Sequence, residues 1–215
     1  MKTFDFYEFV GVLTPGAVVL YTVSKIAPST GFFINVSDFT VGDLGLFVIL
    51  AYVVGHLVQT VGNVLETIFW KPFGGMSTNW VLNPNCKLLS GAQIASIPGQ
   101  LQQTTSIDLQ KPLSEMTSRE WFPITRQIYA AVSAAGLAQR ADTFNGNYGM
   151  FRGISAAFLL CAVLNAVVYG HTGWPMTLGL LGAAILALIR MHRFGSHYAR
   201  ELFVQFLQIK PEKTE

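Results

Sequence analysis

Four long apolar stretches, Phe9–Ile26, Leu44–Asn63, Gly153–Tyr169 and Trp174–Ile189, punctuate the chain, each about as long as a helix needs to cross a bilayer. Polar sequence from Lys71 to Gly149 separates the second from the third. The last two are rich in Ala and Gly and joined by Gly170-His171-Thr172-Gly173, which predicts an antiparallel pair. The pattern predicts an all-α integral membrane protein with four transmembrane helices as two hairpins and a mainly helical cytosolic segment between them. The expected divisions are a first hairpin over 1–70, a cytosolic segment over 71–149, a second hairpin over 150–190 and a basic amphipathic tail over 191–215.

Local signals refine the elements. Pro15 lacks the N–H that would bond the Gly11 carbonyl, so the first helix should kink there or be packed around the defect. Phe4, Phe6, Tyr7 and Phe9 suit an interfacial aromatic belt, and Asp5 and Glu8 beside Lys2 mark this span as a retained anchor. Pro28–Gly42 reads as an outer loop. The second helix should continue to about Trp70, where Pro72 and Gly74-Gly75 stop it. Between Lys71 and Glu115 only Gly91–Gln102 reads as a helix. Thr117-Ser118-Arg119-Glu120 is a capping box followed by Phe122, Ile128, Val132 and Leu137 at helical spacing. Asn145-Gly146-Asn147-Tyr148-Gly149 is a candidate break before the third span. Gly179 and Ala183 form a small-xxx-small pair that suits close helix approach.

Composition supports the membrane assignment: 51% hydrophobic and 12% charged residues, with a mean hydropathy of +0.43. The net charge of +2 is small, and its sidedness matters more. Four spans put all but one of the fourteen Lys and Arg residues on the side of the termini, with only Lys25 opposite. Positive charge is retained inside, which predicts a multi-pass protein with both termini cytoplasmic. Cys86 and Cys161 fall in different environments, so no disulfide is expected.

The second span carries the candidate chemistry. Tyr52, His56, Gln59, Asn63 and Glu66 recur at steps of four and three, within a sector of roughly 80° at about 100° per residue. At ~1.5 Å per residue from Leu44, His56 lies ~18 Å deep, Asn63 ~28 Å and Glu66 ~33 Å, against a hydrocarbon layer of ~30 Å. Val54, Leu57, Val58, Val61, Leu65 and Ile68 form the opposite, lipid-suited face. A polar row cannot face lipid unpaired. It either bonds neighbouring helices, with Asn165 or Tyr21 as partners, or lines a water-filled path at the centre of a homo-oligomer, where Glu66 would favour cations. Catalysis fits poorly, since His56 and Glu66 stand ~15 Å apart along the helix. No catalytic motif, metal set or cofactor is expected.

On the cytosolic side, Arg119, Trp121, Phe122, Arg126, Tyr129 and Arg140 combine guanidinium groups with rings, and Arg119, Trp121, Arg126, Tyr129 and Arg140 are the candidate ligand-binding residues. That mixture can clamp phosphates and stack bases, or bind lipid head groups. Arg152, Arg190, Arg193 and Arg200 are expected to reach the anionic membrane surface.

Three segments, F-D-F-Y-E-F-V-G-x-x-x-P-G at Phe4–Gly16, F-N-G-N-Y-G-M-F-R at Phe144–Arg152 and H-R-F-G-S-H-Y-A-R-E-L-F at His192–Phe203, together resemble small bacterial membrane effectors of nucleotide-signalling anti-phage defence, the Hailong-type membrane effectors. The resemblance covers the membrane segments and their edges but not Lys71–Glu115. It implies a bacterial inner-membrane pore, a nucleotide or oligonucleotide ligand and a nucleotidyltransferase partner. The competing expectations are a membrane scaffold that recruits a soluble enzyme, and a lipid-modifying enzyme.

Overall fold

The computed structural model describes residues 6–26 and 40–210, with side chains from Phe9 onward. Most of the expected outer loop and Phe4 of the aromatic belt lie outside these residues, as do the side chains of Phe6 and Tyr7. Regular structure among the described residues is entirely helical. Among the described residues six α-helices follow one another: α1 (Phe6–Ile26), α2 (Val41–Trp70), α3 (Gly91–Thr105), α4 (Ser118–Ala134), α5 (Gln139–Tyr169) and α6 (Trp174–Phe206). Short 3-10 turns occupy Lys71–Phe73, Ser77–Leu82, Leu113–Glu115 and Gly170–Gly173. Among the described residues three helical stretches are long and apolar enough to cross a membrane, Phe9–Ile26, Val41–Leu82 and Gln139–Phe206.

The helix ends follow from local chemistry. At the start of α2, Thr40 N–H and Oγ1 both donate to Asp43 Oδ2, and the Asp43 N–H donates back to Thr40 Oγ1, satisfying donors that the first turn leaves free. Beyond Trp70 the chain tightens into the Lys71–Phe73 turn, which ends at Gly74 with φ 77°, a left-handed conformation that glycine adopts without strain. Ser90 with Gln93 and Thr117 with Glu120 form complete capping boxes for α3 and α4. The expected break at 145–149 is absent, and α5 runs through it unbroken. Gly and Asn each weaken a helix by only about 1 kcal/mol or less, which burial of Tyr148 can offset.

The chain divides into two compact units. Unit 1 comprises residues 1–68 and 146–192. Its α1 and α2 meet backbone to backbone: a Cβ on Gly16 would collide with the Ala51 carbonyl oxygen, and one on Gly55 with the Val12 carbonyl oxygen. Only glycine permits that approach. Val58, Ala156 and Ala157 form a small buried cluster beside it. By contrast Gly179 of the expected Gly179/Ala183 pair has open space where a side chain would stand.

Unit 2 comprises residues 69–145 and 193–215. Its core is conventional, with Ile97, Leu101, Trp121, Ile128, Val132, Leu202, Phe203 and Phe206 packed together. The tail expected over 191–215 is helical as far as Phe206. Its Ala199, Leu202, Phe203 and Phe206 are buried in this core, and Arg200, expected at the membrane surface, donates Nε to the Leu88 carbonyl.

Candidate functional site

Sequence spacing placed five polar residues of α2 on one stripe, and the structure divides them into two sets. Tyr52, His56 and Asn63 are exposed, whereas Gln59 and Glu66 turn inward and are partly buried.

The inward pair belongs to a hydrogen-bonded network confined to unit 1. Gln59 Nε2 donates to the Gly11 carbonyl at 2.9 Å and to the Gly149 carbonyl at 3.2 Å. Gln59 Oε1 accepts from Arg152 Nη2 at 3.1 Å. Arg152 Nη1 also donates to Glu66 Oε2 at 2.6 Å, and Tyr148 Oη donates to Glu66 Oε1 at 2.5 Å. Gly11 is the residue whose carbonyl loses its helical donor to Pro15, so a side chain of α2 repairs a backbone defect in α1. Space for this arrangement depends on Gly153, where a Cβ would lie 2.5 Å from Gln59 Nε2 and 2.8 Å from Pro15 Cγ.

Four expectations change here. Arg152 does not snorkel to the lipid surface. Its ion pair with Glu66 leaves side-chain exposures of only 22% and 15% for the two residues. Glu66, expected as a free carboxylate favouring cations, is therefore charge-paired within the chain. Nor do Asn165 and Tyr21 partner the stripe: Asn165 Nδ2 donates to Gly173 O and Thr177 Oγ1, and Tyr21 is exposed. Val58, placed on the lipid face by spacing, is buried at 2%.

The outward set forms a second polar strip. Taking about 100° per residue, Tyr52, His56, Thr60, Asn63 and Thr67 fall within roughly 80° of one another. All five are exposed. Thr60 and Thr67 hydroxyls donate to the carbonyls of His56 and Asn63 on their own helix. Among the described residues, none hydrogen-bonds the His56 ring or the Asn63 side-chain amide. The rings form a short chain, with Phe9 stacked on Tyr52 at 5.7 Å and Tyr52 edge-on to His56 at 4.7 Å. Next to the strip lies the apolar exposed face of Val53, Leu57, Val61, Val64 and Ile68. Sequence reasoning missed Thr60 and Thr67, although their positions at four residues from His56 and Asn63 carry the signal.

The expected ligand residues of unit 2 do not converge. Trp121 is the correction: it is fully buried, its indole N–H donates to the Thr78 carbonyl at 2.8 Å, and its ring packs against Phe203, leaving no face for a base. Tyr129 Oη donates to Asp142 Oδ1 at 2.8 Å, and that bond pushes the phenol up to about 12. Arg140 faces Glu201 at 3.6 Å. Arg119 and Arg126 are exposed on α4, seven residues apart and thus on one face, with Phe122 at 62% exposure between them. Phe122, which the sequence placed both at the helical spacing of Ile128 and Val132 and among the basic and aromatic residues of this helix, is exposed, while Trp121 and Thr125 are buried.

Cys86 and Cys161 are both free thiols. The described residues contain no cluster of His, Cys, Asp or Glu suited to a metal ion. No family model, curated protein or solved structure matches the chain.

Proposed function

We propose that this protein is an oligomeric multi-pass membrane effector whose subunits meet along the outward strip of α2 and share an ion path there. The observation that carries the proposal is the strip itself, Tyr52, His56 and Asn63 exposed on a helix long and apolar enough to cross a membrane. Hydrocarbon cannot satisfy an imidazole or an amide, so protein or water must cover them. Copies of the same strip offer both donors and acceptors around a common axis, and a hydrated axis satisfies the remainder. With Glu66 paired to Arg152, polar neutral groups and His56 would set ion preference in place of a carboxylate ring.

In this reading α5 and the first half of α6 cross the bilayer as a hairpin, giving four spans with cytoplasmic termini. Ser155 Oγ donating to Ala184 O and Asn165 Nδ2 donating to Thr177 Oγ1 support it, because the partner number falls as the α5 number rises. The charge asymmetry of the sequence supports the orientation. Control by an anionic, nucleotide-derived signal is part of the proposal, with Arg119 and Arg126 as the phosphate-facing groups and Phe122 replacing Trp121 as the ring between them. A nucleotidyltransferase would supply that signal. Any such ligand acts only through contacts that differ between closed and open arrangements.

A scaffold role is the second reading, and the separate, well-packed core of unit 2 favours it. Ion flux from vesicles reconstituted with the purified protein distinguishes the two. The pore predicts flux that changes on adding a nucleotide or oligonucleotide mixture, and changed ion preference in His56→Ala and Asn63→Leu. Absence of flux with and without the mixture leaves the scaffold.

A further inference from the structure

Unit 2 contains an open cleft of about 380 Å³ between the Ser77–Leu82 turn, α3 and the Leu113–Glu115 turn. That volume lies within the range of small-molecule sites. Its walls are apolar and stiff. Three prolines from separate parts of the chain, Pro84, Pro98 and Pro112, line it together with Ile94 and Leu113. Fixed φ angles keep such walls in place without a ligand, which lowers the ordering cost of binding.

The polar groups at the cleft narrow the class of ligand. Pro98 stands inside α3 and has no N–H, so the Ile94 carbonyl lacks the donor a regular helix would give it. Asn83 Oδ1 already accepts from the Asn85 N–H, leaving its amide nitrogen without a described partner. No Lys, Arg, Asp or Glu is among the lining residues, in contrast to the arginine face of α4. An ion would leave water for this cleft with no counter-charge.

We infer that the cleft is a binding site for an uncharged, ring-sized amphiphile that places its body against the prolines and donates one hydrogen bond to the Ile94 carbonyl. The site is independent of the pore and of the anionic signal proposed above. A phosphorylated ligand belongs to Arg119 and Arg126, whereas this cleft takes a neutral molecule.

Indole and 1-methylindole are matched probes, equal in shape except that only indole has an N–H donor. The full-length protein in zwitterionic nanodiscs, labelled at the isoleucine δ1 methyls, gives a local readout in the Ile94 signal that partitioning into lipid does not mimic. Wild type should show a saturable Ile94 shift with both probes, and about fivefold tighter binding of indole, the worth of one net hydrogen bond. Pro98→Ala supplies the missing N–H and favours the helix, so it should fold and bring the two affinities within about twofold. Ala95→Trp at the mouth should abolish both shifts. The inference is overturned by a wild type that shows no saturable shift, by equal affinities for the two indoles, or by a preference that survives Pro98→Ala.

Discussion

Gln59 of α2 donates its side-chain amide to the carbonyl oxygen of Gly11, four residues before Pro15 of α1, at 2.9 Å. A proline inside a membrane helix strands one carbonyl, and in hydrocarbon a stranded carbonyl has no water to turn to. Removing Gln59 exposes that defect and also frees one side of Arg152. Gln59→Ala should therefore lower unfolding free energy by about 2 kcal/mol. In a Pro15→Ala background, where the substituted residue has its own N–H, the same change should cost about 1 kcal/mol less. A double-mutant cycle on unfolding in bicelles measures the difference. Equal costs in both backgrounds would show that the amide does not serve the proline.

Arg152 and Glu66 form an ion pair at 2.6 Å with both side chains largely shielded. Breaking one half leaves an uncompensated charge, and replacing both removes the problem. Arg152→Met alone should destabilise by about 3 kcal/mol, and adding Glu66→Leu should restore most of the loss. The check is the unfolding midpoint of the two single variants and the double variant under one condition. A double variant as poor as the singles would show that the pair's remaining contacts, and not its charge balance, hold unit 1.

Gly55 and Gly179 provide a steric contrast. A Cβ at position 55 would run into the Val12 backbone, while at position 179 it would meet open space. Gly55→Ala should destabilise by roughly 3 kcal/mol or abolish folding, and Gly179→Ala should stay within about 0.5 kcal/mol in the isolated protomer. Thermal unfolding of the monomeric, detergent-solubilised protein reads both.

Glu120 is held at about 2, below its ordinary 4.5, first by its hydrogen bond from Lys111 and then by those from Thr117. A carboxylate depressed in the folded state adds stability above its unfolded value and loses it as pH falls towards the folded one. Unit 2 should therefore weaken between about pH 5 and pH 2. Glu120→Gln should flatten that part of the profile, followed by the near-ultraviolet signal of Trp121, whose N–H and C=O both bond within the same unit. An unchanged slope would assign acid sensitivity to other carboxylates.

Much of this architecture could be read locally. Pro72 with Gly74 ends α2, Thr117 with Glu120 starts α4, and Pro15 announces an orphaned Gly11 carbonyl, all from residues within a few positions of each other. What answered that carbonyl could not be read in the same way. Gln59 lies 48 residues from Gly11, and Arg152 lies 93 from Gln59. Periodicity grouped Gln59 and Glu66 with His56 and Asn63 because they differ by only tens of degrees around the helix. Contact with α1 and α5 then divided that sector. Trp121 was misplaced for a related reason: beside arginine and phenylalanine it resembles a ligand face, yet a one-residue step of about 100° carries it into the core while Phe122 stays outside.

Accessibility of the α2 strip in a conducting membrane tests the central claim most directly. In a Cys86→Ser background, Asn63→Cys and Leu57→Cys are introduced singly, and vesicle ion flux is followed as a water-soluble methanethiosulfonate reagent is added. The account predicts that flux through Asn63→Cys falls at least tenfold on modification, while flux through Leu57→Cys, on the apolar face, does not change. Flux that is absent in every condition, or insensitive to modification at position 63, would contradict it.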